Sequence, residues 1–336
     1  MSTSLSALMD EVGLNTLVDQ FLARVRYVPD RAQLPKFLDP ARLHDARVGV
    51  PEPPPLHVRW ETPTAFHQGT RRLLRFESPV ATPFPEDRAG VAELFSPAGE
   101  AWGTVMMVHG GLLGVQPSGA DLRPYLRWAL ALNRVGLRML LPRLPRHLER
   151  TPAGAFSGER FLSGNLLETI DALQQGAHEL EGLIHTLLDE GLGPVGLVGM
   201  SLGGLTSIQL LAVEERLSAA MLLSPVPDAA RSVFDSVIGK TIKHDWQAGG
   251  MSRADLEAVF ASLSPAYRVP KLPSEALLLV GGQEDEVVRL EDVQRMGQHW
   301  GVEVWAEASG HLGLITQNGL RAKGVSWLVA QLRRAT

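Results

Sequence analysis

V-G-L-V-G-M-S-L-G-G, running from Val195 to Gly204, sets Ser201 between Gly199 and Gly203 in a G-x-S-x-G pattern. The β-branched run 195–198 reads as a buried strand entering the motif, and 205–212 reads as a helix leaving it. A serine on so sharp a strand-to-helix turn is forced into backbone strain and tolerates only small residues at its flanks. Gly204 adds a further small position, where helix and strand must approach closely. The setting carries more weight than the pattern, because a chain with 33 glycines can produce the pattern by composition.

Outward from this motif, short apolar runs alternate with helical stretches from about residue 70 onward. Strands are expected near 72–77, 89–95, 104–108, 136–141, 194–198, 219–223, 276–280 and 302–306, and helices over 165–190, 203–214, 290–300 and 318–333. That alternation predicts an α/β fold built on a mostly parallel eight-stranded sheet, with crossover helices on its faces. Residues 1–69 are expected to form a separate extension. Leu5, Leu8, Met9, Val12, Leu17 and Phe21 have the spacing of an amphipathic helix, and Pro51 and Pro53 to Pro55 favour an extended connector. The catalytic domain is expected over 70–336. Residues 225–270 interrupt its alternation with helical pieces at 231–238 and 253–263, which predicts a small cap insertion over the pocket; the alternative is packing against the sheet edge.

Composition narrows the function. The chain has 336 residues, 45% of them hydrophobic, and can bury a large core. Its 32 basic and 37 acidic residues give a net charge of -5, without the basic excess that phosphate backbones demand, so no nucleic-acid partner is expected. Cysteine is absent, which removes disulfides, thiolate metal sites and a Cys nucleophile, and fits a cytoplasmic location. The N-terminal stretch interleaves Asp10, Glu11 and Asp19 with apolar residues, unlike a secretory signal, and no run approaches the roughly 20 apolar residues of a transmembrane segment. No H-E-x-x-H helix is present, and the scattered histidines show no spacing that implies zinc. Gly239 to Thr241 mimics the end of a phosphate loop, but Phe234 stands where its first glycine belongs. Neither metal nor cofactor is expected.

A serine hydroxyl needs a positioned base, and that base needs an orienting acid. In A-L-L-L-V-G-G-Q-E-D-E-V-V, Asp285 lies just past a buried strand, with Glu284 and Glu286 as its competitors. In V-E-V-W-A-E-A-S-G-H-L-G, His311 follows a strand and the flexible pair Ser309-Gly310, while His178, His185 and His299 fall in helical stretches. Donors for a developing oxyanion are expected after the strand 104–108, at the backbone N–H of Gly111 or Leu112, and at the N–H of Leu202, directly after the nucleophile. His109 is expected to brace that loop by hydrogen bonding.

Together, His109-Gly110-Gly111, the Ser201 motif, the Asp285 loop and Gly310-His311, each at a strand end and in this order, resemble the α/β-hydrolase family over residues 70–336. The segments F-E-S-P-V-A-T-P-F-P, 76–85, and 191–204 look like a sparsely characterised branch of α/β-hydrolase domain-containing proteins. The resemblance implies a serine hydrolase with Ser201, His311 and Asp285 as catalytic residues. A small-molecule carboxylic ester is the first expected substrate, with lipid-like esters and thioesters behind it and peptides or amides last. Leu113 near the oxyanion loop, and Phe234 and Trp246 in the cap, are expected to contact an apolar acyl or alcohol group. The competing reading is a hydrolase-fold binding or scaffolding protein without activity, whose sign would be a broken triad. A lyase or cofactor-free haloperoxidase could use the same triad.

Overall fold

The computed structural model describes residues 27–36, 38, 56–111, 113–116, 119–161, 163–261, 263–266 and 268–335. The expected amphipathic helix, up to residue 26, and the Pro-rich stretch lie outside them. In chain order the strands are β1 (Val58–Trp60), β2 (Thr64–Phe66), β3 (Gly69–Glu77), β4 (Ala89–Ser96), β5 (Gly103–Val108), β6 (Leu137–Pro142), β7 (Val195–Met200), β8 (Ala219–Leu223), β9 (Leu277–Gly282) and β10 (Glu303–Glu307). They join in one sheet of order β1-β3-β4-β6-β5-β7-β8-β9-β10, with β2 as a hairpin on β3. From β6 to β10 every pairing is parallel, whereas β1, β3 and β4 pair antiparallel at the other edge.

The central strands read as continuous apolar runs because both their faces are covered. In β5, Met106 and Val108 join the core on one side of the sheet, and Val105 and Met107 join the core on the other. The same alternation divides Leu197 from Val198 in β7 and Leu222 from Leu223 in β8. One face is packed by α1 (Arg123–Asn133) and, later in the chain, by the C-terminal helix Asn318–Arg334. The opposite face is packed by α2 (Leu166–Asp189) and α3 (Leu202–Leu211), followed along the chain by the helix Leu290–Trp300. These are the doubly covered layers expected from the sequence.

Two expectations change. The sheet has ten strands rather than eight, and the two additional ones, β1 and β2, precede residue 70, where the sheet was expected to begin. Each is three residues long, too short for period-two alternation to register, and each is held by its pairing with β3. Helix α1 was not expected either, although Tyr125, Trp128, Ala129 and Leu132 give it a buried stripe of helical spacing.

Between β8 and β9 the chain forms three helices, α4 (Ala229–Asp235), α5 (Lys240–Ala248) and α6 (Arg253–Ala261). Asp228 caps α4 by accepting the N–H of Arg231 at 2.8 Å. The segment 27–36 is tied to α5, since the Tyr27 N–H donates to Asp245 at 2.6 Å. After β9 come α7 (Leu290–Trp300), then α8 (Gly313–Thr316) and α9 (Asn318–Arg334) beyond β10.

Helix α3 lies so close to the sheet that a Cβ on Gly203 would stand 2.3 Å from the carbonyl oxygen of Val108, and one on Gly204 would stand 2.7 Å from Cα of Pro225. Both obstacles are backbone and cannot swing aside. Gly203→Ala is therefore expected to cost about 1–3 kcal/mol of stability through overpacking, measured by urea unfolding; an unchanged midpoint would contradict this packing.

Candidate active site

The turn between β7 and α3 places Ser201 at φ 52° and ψ -114°, a conformation that L-residues rarely adopt. It persists because its surroundings over-determine it. The Ser201 N–H donates to the Leu223 carbonyl at 3.0 Å, and a Cβ on Gly199 would meet Ser207 Oγ at 2.5 Å. The hydroxyl is thereby lifted off the end of the sheet into a cavity.

His311 reaches it from the loop after β10. Its Nε2 lies 2.8 Å from Ser201 Oγ, and its Nδ1 lies 2.8 Å from Asp285 Oδ2. With Nδ1–H donated to the carboxylate, Nε2 presents its lone pair to the serine hydroxyl. Asp285 follows β9 and is buried, whereas Glu286 is exposed and Glu284 half-buried. Asp285 Oδ1 accepts the N–H groups of Val287 at 2.9 Å and Val288 at 2.8 Å. Burial pushes its carboxyl up, but His311 and the donors from Ser224 and Val288 outweigh this and hold it below the usual carboxylate range.

Ser224 is a site residue that the sequence reading missed. Its hydroxyl donates to Asp285 Oδ2 at 2.6 Å, on the same oxygen that accepts from His311. It is fully buried at the end of β8 with φ 39°, and its N–H donates to the Val280 carbonyl at 2.7 Å. The signal available in the sequence was slight: a serine directly after a buried strand, 61 residues before the acid.

The cavity beside Ser201 holds about 160 Å³, and its walls are mainly apolar. Gly110, Gly111, Met200 and Leu202 line it from the sheet side, and Val233, Ile242 and Phe260 line it from the segment between β8 and β9. Of the residues expected to contact substrate, none of Leu113, Phe234 and Trp246 is among its lining. Leu113 is buried in the core under α1, and its carbonyl accepts from Ser157 Oγ. Trp246 is buried with its indole N–H on the Gly164 carbonyl at 3.1 Å. Phe234 turns its ring toward Lys243 and Arg253, each 5.7 Å from the centroid. Bulk and apolarity were visible in the sequence, but which side of a short helix faces the cavity was not. The expected oxyanion donor Leu112 lies outside the described residues.

Residues 173–328 match the serine hydrolase family model. An acetyl xylan esterase from a Paenibacillus species shares the fold, with a TM-score of 0.61 at 12% identity over 92% of this chain and 98% of its own. Acetyl xylan esterase 1 from a Thermoanaerobacterium species aligns over 98% of this chain and 99% of its own, with a TM-score of 0.58 at 12% identity. The chain has the α/β-hydrolase fold. Two curated proteins from strains of Mycobacterium tuberculosis, both uncharacterized, are 28% identical over 272 residues, which is 77% of this chain and 60% of theirs. The chain thus spans about three-fifths of the length of the curated relatives it matches.

Behind the site, two buried histidines brace the loop after β5. His109 Nδ1 lies 2.7 Å from the Gly110 carbonyl and its Nε2 accepts the Leu144 N–H at 3.1 Å, so the ring is neutral with its proton on Nδ1. The Gly110 N–H donates to the Tyr125 hydroxyl at 2.9 Å, and burial pushes that phenol up to about 12. Gly111 is left lining the cavity, opposite the first turn of α3, where Leu202 has no intrahelical acceptor for its N–H. His147 stacks edge-on against His109 with centroids 4.9 Å apart.

Burial holds both imidazoles down, His109 well below the usual histidine value and His147 down to about 4. A lowered folded-state pKa means that the unfolded chain binds protons first as pH falls. Stability is complete above about pH 6.5 and is lost on acidification toward about 4. Between about pH 7.5 and 5 His147 is expected to remove on the order of 2 kcal/mol, and His109 acts in the same direction. His147→Gln, which takes up no proton, should flatten that slope in urea unfolding; an equal slope in both proteins would show that His147 is not held neutral.

Proposed function

We propose that the protein hydrolyses carboxylic esters through a covalent acyl-enzyme, with Ser201 as nucleophile, His311 as general base and then acid, and Asp285 as the orienting carboxylate. The observation that carries this reading is the pair of 2.8 Å contacts from His311 to Ser201 and Asp285, opening on an apolar cavity. His311 Nε2 takes the Ser201 proton as Oγ bonds to the ester carbonyl carbon. The carbonyl oxygen becomes an oxyanion facing the N–H groups of Gly111 and Leu202. Collapse breaks the bond to the alcohol oxygen, which leaves with the proton from Nε2. A water molecule then gives its proton to Nε2 and its hydroxide to the acyl carbon, and Ser201 recovers the proton when the acid departs.

A fluorophosphonate is expected to label the wild-type protein at Ser201 and to leave Ser201→Ala unlabelled; labelling elsewhere would refute the assignment. Asp285→Asn should keep the fold and lower kcat by about three to four orders of magnitude, because an amide permits the wrong tautomer and cannot balance the imidazolium. If Glu284→Gln or Glu286→Gln costs more, the acid is misassigned.

The acyl group is assigned to the apolar cavity. Its volume of about 160 Å³ is close to the roughly 150 Å³ that accommodates benzene in an apolar protein cavity, so acyl chains of about four to eight carbons suit it. The segment between β8 and β9 acts as the cap that sets this length. Ala229 lines the cavity from the start of α4, so Ala229→Phe should shift the optimum of an ester panel to shorter chains while labelling at Ser201 is retained. A profile equal to wild type would remove the cap from specificity.

A further inference from the structure

Away from Ser201, α2 carries Glu181 and His185 one helical turn apart on the same face, and Glu214 approaches them from the turn that ends α3. One ligand atom from each residue lies within 4.8 Å of the others. His185 Nε2 and Glu214 Oε2 are 3.0 Å apart. Two ligands at about 2.0–2.1 Å from one ion, and near a right or tetrahedral angle, stand roughly 3 Å apart, so this pair is already spaced for coordination. Both carboxylates are only 2% exposed, while the His185 side chain is 33% exposed and leaves a path for an ion and a water ligand.

We propose that Glu181, His185 and Glu214 form a divalent metal site of the zinc class. Mixed imidazole and carboxylate ligands suit zinc better than magnesium or calcium, which take oxygen alone. Glu214 is oriented in advance as a ligand, because its other oxygen accepts the Arg216 N–H at 2.5 Å, which leaves Oε2 toward the imidazole. The ion's two positive charges match the charge of the two buried carboxylates. Helix α3 has ten residues, about 15 Å of rise, and Ser201 and Glu214 lie beyond its opposite ends. The ion therefore takes no part in ester chemistry. It clamps the far end of the nucleophile helix to α2. The sequence reading expected no metal; the proposed site instead uses an E-x-x-x-H pair whose third ligand lies 29 residues beyond His185.

A protonated His185 could bridge the same carboxylates, and zinc binding separates the two arrangements because the metal must displace that proton. Chelator-treated full-length protein, titrated with zinc chloride by calorimetry, should bind one equivalent. Its Tm should rise with zinc concentration, and proton release should appear in buffers of different ionisation enthalpy. His185→Ala changes a partly exposed side chain and should keep the fold, checked by circular dichroism, while losing both the equivalent and the Tm shift. Cobalt loading of the wild type should give a visible d–d band that His185→Ala lacks. Failure of the wild type to bind zinc, or equal binding by His185→Ala, would overturn the site.

Discussion

The structure turns on the close approach of helix α3 to the carbonyl ends of β5 and β7. The 2.3 Å that would separate a Gly203 Cβ from the Val108 carbonyl defines how near the helix comes, and only a glycine permits it. That approach holds Ser201 at a positive φ and points the first turn of α3 across the cavity toward the loop after β5. The strain is sustained from elsewhere, by the Leu223 carbonyl that accepts the Ser201 N–H and by the Ser224 and Asp285 pair just beyond it. Ser201, Asp285 and Ser224 are thus coupled through adjacent parallel strands, β7, β8 and β9.

Asp285 shows how the site remains charged in a buried setting. Four donors converge on it, two from backbone N–H groups, one from Ser224 and one from His311. Removing water from a carboxylate costs more than most single contacts return, so a buried acid at a strand end requires such complete partnering. Its lowered pKa means that the carboxylate contributes stability above the unfolded value near 3.9, which is lost only as pH falls through the lower folded one. The buried histidines behind the loop respond in a higher range, which separates the acid sensitivity of the scaffold from that of the site.

Much of this was legible in the sequence for identifiable reasons. All eight strands from β3 to β10 were found, the central ones because a parallel strand covered on both faces leaves an uninterrupted apolar run. Ser201, Asp285 and His311, singled out by their order along the chain, sit just past strand ends, and the structure brings them within hydrogen-bond distance of one another. Contacts across the fold were less accessible. Ser224 matters because β8 lies between β7 and β9, and linear spacing does not encode that adjacency. Phe234 and Trp246 have the right bulk, but the cation pair at Phe234 and the Gly164 carbonyl at Trp246 draw them away from the cavity. Side-chain direction on helices of seven and nine residues is decided by such partners.

The segment 76–85, whose sequence resembles one branch of the family, acquires a physical role from the same kind of reasoning. None of its residues lines the cavity. Arg146 and Arg160 instead lie over the ring of Phe84, at 4.9 and 5.7 Å from its centroid. Ser78 accepts from Gln175 at 3.2 Å, and just beyond the segment Asp87 is fully buried and accepts the Arg146 N–H at 2.7 Å. Arg150 completes the group by gripping Glu179 through two bonds of 2.6 and 2.8 Å. Burying these ions gains little net stability over an apolar cluster of the same shape, yet breaking one would strand its partners. Their consequence is geometric: Arg143, Arg146, His147 and Arg150 belong to the same turn as Leu144, whose N–H fixes the His109 ring. The connection between β3 and β4 is thereby linked to the loop after β5 through the ion cluster, without lining the cavity.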